Sequence, residues 1–258
     1  MQMLGTFFGL ICLALLGFAV VIIGLFLSRK ILVQKFYFGK YETQASAFLS
    51  IAGTLYSIVL GLVVANSLSS FDEQRRNVQN ESTSLRNIYH LSLGLPKEFS
   101  NKIDRAIIDY TQLVITKEWP LMDSGNYSPQ ARDKFLDIWK IIVDFNPQNS
   151  GQSNIHDKLI DMITDVSNCR HQRLLASQMA FAPAIHMFLW IGGLISIIFT
   201  YFFFIKNFRI QVLMTVLITT LILFNLLIVE IFGYPFSGDI KIEPTSFALD
   251  LKHYKMLN

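Results

Sequence analysis

The chain has 258 residues, 52% of them hydrophobic and only 16% charged, with 22 Phe. A soluble globular domain carries about a quarter charged residues, so composition alone points to a lipid environment. The formal charge of +3 is scattered and forms no dense basic face, which argues against a nucleic-acid partner; two cysteines, Cys12 and Cys169, are too few for a disulfide framework and have no metal spacing.

The start of the chain, Met1 to Gly5, has no Lys or Arg, unlike a secretory signal. The apolar run from Thr6 to Leu27 that follows is long enough to cross a ~30 Å hydrocarbon layer, which takes roughly 20 helical residues. It is predicted to be a retained transmembrane helix. Three further runs meet the same criterion: Ala45–Ala65, Phe181–Ile205 and Ile210–Phe232. None holds a Lys, Arg, Asp or Glu except Glu230 near the end of the last. Backbone exposed to lipid must satisfy its own hydrogen bonds, so all four are predicted as helices. Phe36, Tyr37 and Phe38, and Tyr201 to Phe204, supply interfacial aromatics.

The second run carries Ser46, Ser50, Gly53, Thr54, Ser57, Gly61 and Ala65, which at 100° per residue share a sector of roughly 120°. Two readings fit: a face lining a pore, its hydroxyls turned to water or ions, or a face of small residues that lets helices approach closely. Leu55, Ile58, Val59, Leu62 and Val63 on the other faces either meet lipid or form a hydrophobic constriction. No Pro or Gly stops the helix at Ala65, and it is predicted to run on in polar form to Gly94-Leu95-Pro96. Asn66, Arg75, Arg76, Asn80 and Glu81 lie along that extension. They are candidates for a charged vestibule, the alternative being a solvated face with i, i+4 pairs; Glu81 and Arg86 have the further alternative of buried anchors.

Helical patterning continues up to the third run. Ile103, Ile107, Tyr110 and Val114 form an amphipathic stripe, and Ser128-Pro129 reads as an N-cap followed by the first helical residue. Phe135, Ile138, Ile142 and Phe145 then face inward, and Asn146 to Gly151 is a loop. A last helix from about Asn154 passes Arg170 and Arg173 to Pro183. In the third and fourth runs His186, Asn225 and Glu230 are the intramembrane polar candidates, with a proton carrier as one use and interhelical or interfacial anchoring as the other. Gly192-Gly193 is a packing or kink site. Asp157, Asp161 and Asp165 make an acidic stripe, read as solvated. No nucleotide loop, zinc helix or nucleophile elbow occurs, so neither a cofactor, a metal site nor an enzyme is expected.

The expected architecture is therefore all-α and polytopic: transmembrane helices one and two in 1–65, a soluble helical bundle in 66–180 continuous with the spans, helices three and four in 181–233, and an extramembrane tail in 234–258.

Three blocks give the chain a family likeness. The first is Gly53 to Val64, followed by Arg75-Arg76-Asn77-Val78-Gln79-Asn80-Glu81 and then Leu85-Arg86-Asn87-Ile88-Tyr89 to Leu95-Pro96. The second is Arg170-His171-Gln172-Arg173-Leu174 ahead of Trp190-Ile191-Gly192-Gly193; the third is Glu230 to Phe247. In this order and spacing the chain resembles the bacterial bestrophin-like domain family of four-span membrane proteins. Bestrophins themselves are oligomeric, mostly anion-conducting channels whose second span lines the pore, and bacterial relatives can prefer cations. Their N-terminal arginine-phenylalanine-proline segment and their calcium-clasping acidic cluster have no counterpart here, so calcium gating is not implied.

The resulting expectation is a multi-pass inner-membrane ion channel, a homo-oligomer (tetramer or pentamer) embedded in the lipid bilayer and passing small inorganic ions, with no nucleic acid. The alternative is a non-conducting scaffold or sensor whose bundle binds a partner. Two signals for orientation disagree. Six Lys/Arg in Arg29–Glu42 and Lys206–Arg209 would put those loops in the cytoplasm, whereas the bestrophin layout puts the bundle there.

Overall fold

A computed structural model describes residues 17–29, 42–178, 183–201 and 207–257, and every regular element among them is a helix. In chain order they are α1 (Gly17–Arg29), α2 (Glu42–Ser92), α3 (Lys97–Leu113), a π-helical turn (Val114–Glu118), α4 (Trp119–Met122), α5 (Pro129–Val143), α6 (Ser150–Gln178), α7 (Pro183–Tyr201), α8 (Phe208–Phe232) and α9 (Thr245–Leu257). Two compact units emerge: Met1–Ser70 with Phe181–Gly233, and Phe71–Ala180 with Tyr234–Asn258.

In the first unit, α2, α7 and α8 are each long and apolar enough to cross a membrane. The 25 residues of α8 reach about 37 Å at 1.5 Å each. The first predicted span lies partly outside the described residues, which hold only its later part, within α1. The four helices meet through Val21, Tyr56, Leu60, Leu189, Ile197, Ile222, Leu226 and Val229. Large aliphatic and aromatic side chains such as Leu55, Leu62, Phe188, Leu217 and Phe224 are left exposed on the outside, the distribution expected where lipid replaces water.

Glycines set the helix spacing here. A Cβ on Gly192 would stand 2.6 Å from the Tyr56 ring, and one on Gly24 would stand 2.8 Å from the Tyr201 hydroxyl. The close approach lets Tyr56 donate to the Leu189 carbonyl at 2.9 Å and Tyr201 to the Val21 carbonyl at 2.9 Å. Gly192 is thus a packing site between α2 and α7.

The second unit is an amphipathic bundle. All four residues of the α3 stripe, Ile103, Ile107, Tyr110 and Val114, are fully buried, alongside Leu85, Ile88, Ile138, Ile142, Leu159, Ile163 and Val166. Ser128 caps α5 by accepting from the Ala131 amide at 3.2 Å, with Pro129 as the first helical residue. α6 begins earlier than its apolar pattern indicates. Asn149 accepts from the Gln152 amide at 2.9 Å and so opens the helix at Ser150.

Two features depart from expectation. The helix begun by α3 does not continue as a regular α-helix past Leu113. Pro120 has no amide hydrogen to continue the α ladder, and the chain widens into a π turn before finishing as α4. At 3.6 residues per turn Trp119 would stand half a turn round from Tyr110; the wide turn brings both indoors. The segment read as a tail contains α9, whose Phe247 and Tyr254 are fully buried. Tyr254 stacks on Tyr89 at 4.7 Å between ring centroids, and Asp250 accepts from Ser82 at 2.6 Å and pairs with Arg86 at 3.3 Å. Arg86 is therefore an anchor for α9.

Gly192→Ala is expected to lower the thermal midpoint of the detergent-solubilised protein, an overpacking cost of about 1–3 kcal/mol. Adding Tyr56→Leu should recover part of the loss; a midpoint unmoved by Gly192→Ala would contradict the packing role.

Candidate functional site

Along the apolar half of α2, Tyr56 and Leu60 are buried, with Val59, Val63 and Val64 partly so, against the neighbouring helices of their unit. The small-residue stripe lies on another face. Ser46, Ser50, Thr54, Ser57, Gly61 and Ala65 are exposed and Gly53 is half-buried. Among the described residues, nothing beyond the helix's own backbone comes within 4 Å of where a Cβ on Gly53 or Gly61 would stand. Thr54 donates back to the Ser50 carbonyl and Ser57 to the Gly53 carbonyl, each at 2.7 Å. Their protons are thus spoken for within the helix, and their oxygen lone pairs are left on the surface.

Farther along α2, Asn66, Arg75, Arg76 and Asn80 are exposed. Glu81, grouped with them by sequence, differs: it is fully buried. One residue past Asn80 the helix has turned its side chain into the core of the second unit. There Arg173 of α6 donates through Nε to Glu81 Oε2 at 2.7 Å and through Nη2 to Glu81 Oε1 at 2.9 Å. The same Nη2 donates to Glu118 Oε1 at 2.9 Å, while Arg170 Nη2 donates to Glu118 Oε2 at 2.6 Å. Tyr110 donates to Glu81 Oε1 at 2.9 Å.

Aromatic rings close the cluster. The Arg173 guanidinium lies 5.1 Å over the Trp119 ring and that of Arg170 lies 5.8 Å over Phe135, positions where a ring face attracts a cation. Two guanidiniums and two carboxylates leave no net charge. Burial works against the Arg173 charge, and Glu81 and Glu118 more than offset it, holding the group above its usual range. Burial, with Glu81 nearby, likewise holds the Tyr110 hydroxyl well above its usual range. The Cys169 thiol, beside this cluster in sequence, is pushed up to about 11 by burial first and by Glu81 and Asp165 next. Glu118 and Tyr110 are participants that a functional reading of the sequence passed over. The one available signal was a Glu continuing the buried spacing of Tyr110 and Val114.

The intramembrane candidates come together in part. His186, in the first turn of α7, lies with Nδ1 3.5 Å from Glu230 Oε2 in the last turn of α8. Trp190 donates from Nε1 to His186 Nε2 at 2.9 Å. Asn225 is turned to its own helix and donates to the Leu221 carbonyl at 2.8 Å. No cluster of three or more His, Cys, Asp or Glu able to hold a metal occurs among the described residues.

Apolar helices that expose lipid-compatible surface, together with an all-helical bundle built on the polar continuation of one of them, define a polytopic membrane protein. Residues 13–247 match the Bestrophin-like domain, and the chain belongs to that family. Its fold is shared by crystal structures of bacterial bestrophin homologues from Klebsiella pneumoniae carrying single mutations. One aligns with a TM-score of 0.69 at 13% identity over 96% of this chain and 99% of the other, and another with 0.64 at 13% identity over 91% and 97%. A crystal structure of a membrane protein aligns with 0.66 at 14% identity over 93% and 95%. No curated protein sequence matches this one.

Removing one partner of a buried ion pair strands the other, at a cost of about 3–5 kcal/mol. Glu81→Gln is therefore expected to reduce unfolding stability by that order, whereas Asn80→Ala, one residue away and exposed, stays within about 0.5 kcal/mol; equal effects would place Glu81 outside the core. A second consequence concerns the thiol. Since the thiolate is the reacting form, maleimide should label Cys169 in a Cys12→Ser background roughly a hundredfold more slowly at neutral pH than a free thiol, and at the ordinary rate once the chain is unfolded.

Proposed function

We propose that copies of this chain assemble around α2 in the inner membrane, as a tetramer or pentamer, and form an ion-conducting pore. The family is known for ion channels. The observation that carries the reading is the state of the small-residue stripe in the single chain. One face of α2 packs on its own unit, while six of the seven stripe residues stand exposed and, among the described residues, both stripe glycines face open space. A face of hydroxyls and glycines gains little from acyl chains. Around an axis it permits close helix approach and offers oxygen atoms to a permeating ion. Asn66, Arg75, Arg76 and Asn80, exposed farther along the same helix, are the vestibule residues in this reading, and Glu81 serves it from within the core by fixing α2 to α6. Calcium has no part in the proposal.

The test is ion flux from liposomes containing the purified protein. Ser57→Trp and Gly61→Trp should each cut flux about tenfold or more by narrowing the path, with the oligomer unchanged on size-exclusion chromatography. A folded oligomer that passes no small ion favours the scaffold or sensor instead. An oligomer whose Ser50, Ser57 and Gly61 face lipid ends the pore reading.

A further inference from the structure

We propose that His186 and Glu230 form a proton-binding site at one end of the α7–α8 pair, and that proton uptake there exchanges the Trp190–His186 hydrogen bond for a His186–Glu230 ion pair. The geometry carries this directly. An indole N–H can only donate, so its 2.9 Å contact makes His186 Nε2 the acceptor. The imidazole is then neutral, with its hydrogen on Nδ1, the nitrogen that faces Glu230 Oε2 at 3.5 Å. That separation is at the outer limit of a hydrogen bond, so the contact is weak in this state.

Adding a proton to Nε2 puts two N–H groups head to head, and the Trp190 bond cannot survive. The same proton turns the His186 ring into a cation beside a carboxylate, which draws the two groups together. Atoms balance simply: one proton enters at Nε2 and none leaves Glu230. Both side chains are about one-third exposed, 34% and 30%.

Neither α7 nor α8 carries another charged residue beside the pair. α7 has no other charged residue, and the other charge of α8, Arg209, is in its first turn, at the opposite end from Glu230. α1 ends in Arg29, whose guanidinium lies 4.9 Å over the Phe208 ring at that same far end. The apolar part of α2 contributes Glu42 in its first turn and Tyr56, whose hydroxyl is bonded to the Leu189 carbonyl. Tyr201 is bonded to the Val21 carbonyl. The site is independent of ion conduction: a chain that passes no ions could still bind a proton here.

The experiment uses the full chain in detergent, labelled with 5-fluorotryptophan and followed by 19F NMR between about pH 5 and 8. Trp190→Phe identifies the Trp190 resonance among those of Trp119, Trp139 and Trp190. That resonance is expected to titrate while the other two hold still. In Glu230→Gln its midpoint should fall, because the carboxylate that favours the cation is gone, and in His186→Gln the titration should vanish. A Trp190 resonance flat across the range overturns the proposal. So does a titration that persists in His186→Gln, or, should that variant misfold, one whose midpoint is unchanged in Glu230→Gln.

Discussion

The second unit depends on burying two arginines and two glutamates in one place. Each charge taken out of water costs several kcal/mol unless it is paired and hydrogen-bonded, and here every partner comes from a different stretch of chain. α2 supplies Glu81, the π turn supplies Glu118, and α6 supplies Arg170 and Arg173, with Tyr110, Trp119 and Phe135 completing the shell. A hydrophobic core tolerates a helix that slides or rotates a little. Donor–acceptor distances of 2.6 to 2.9 Å do not. The cluster therefore sets register among these helices, and Trp119 and Met122 reach the core beside it once the π turn has rotated them inward.

In the first unit the governing constraint is different. Lipid supplies no hydrophobic drive for helix association, so cohesion rests on close packing and on hydrogen bonds between helices. Gly192 admits the Tyr56 ring and Gly24 admits the Tyr201 hydroxyl, and each tyrosine repays the space with a bond to a main-chain carbonyl of another helix. These contacts occupy one flank of α2 and, among the described residues, leave its stripe of small residues uncovered. What makes α2 a useful pore candidate is thus a consequence of how its opposite flank is packed.

α2 links two kinds of chemistry on one helix of 51 residues. Its apolar half satisfies its backbone internally, as a lipid environment demands, and its polar half alternates exposed residues such as Arg75, Arg76 and Asn80 with buried ones such as Val78, Glu81 and Leu85. The change of environment needs no change of backbone. In the pore reading, the same helix therefore offers an oxygen-bearing face in one half and a charged anchor in the other.

Much of this was legible in the residue order. Apolar length marked the spanning helices, the 3.6-residue period picked out Ile103, Ile107, Tyr110 and Val114, and Ser128-Pro129 announced the start of α5, because these are local properties carried by neighbouring residues. The partners of the buried charges were not legible. Glu81 stands in a run of polar residues that reads as a solvated or vestibular face or as a buried anchor without a named partner, and the arginine it holds is 92 residues away. Nor did the pattern show the π turn, the docking of α9, or the approach of His186 to Glu230, which all depend on a surface supplied by another helix. The sequence by itself determined that this is an all-helical membrane protein, since burial in lipid and helical periodicity are written into composition and spacing; its bestrophin-like character came from the likeness of its motif blocks to that family. Only the tertiary structure decided which charges are neutralised in the core and which face of α2 stays open, because both are properties of pairs of helices.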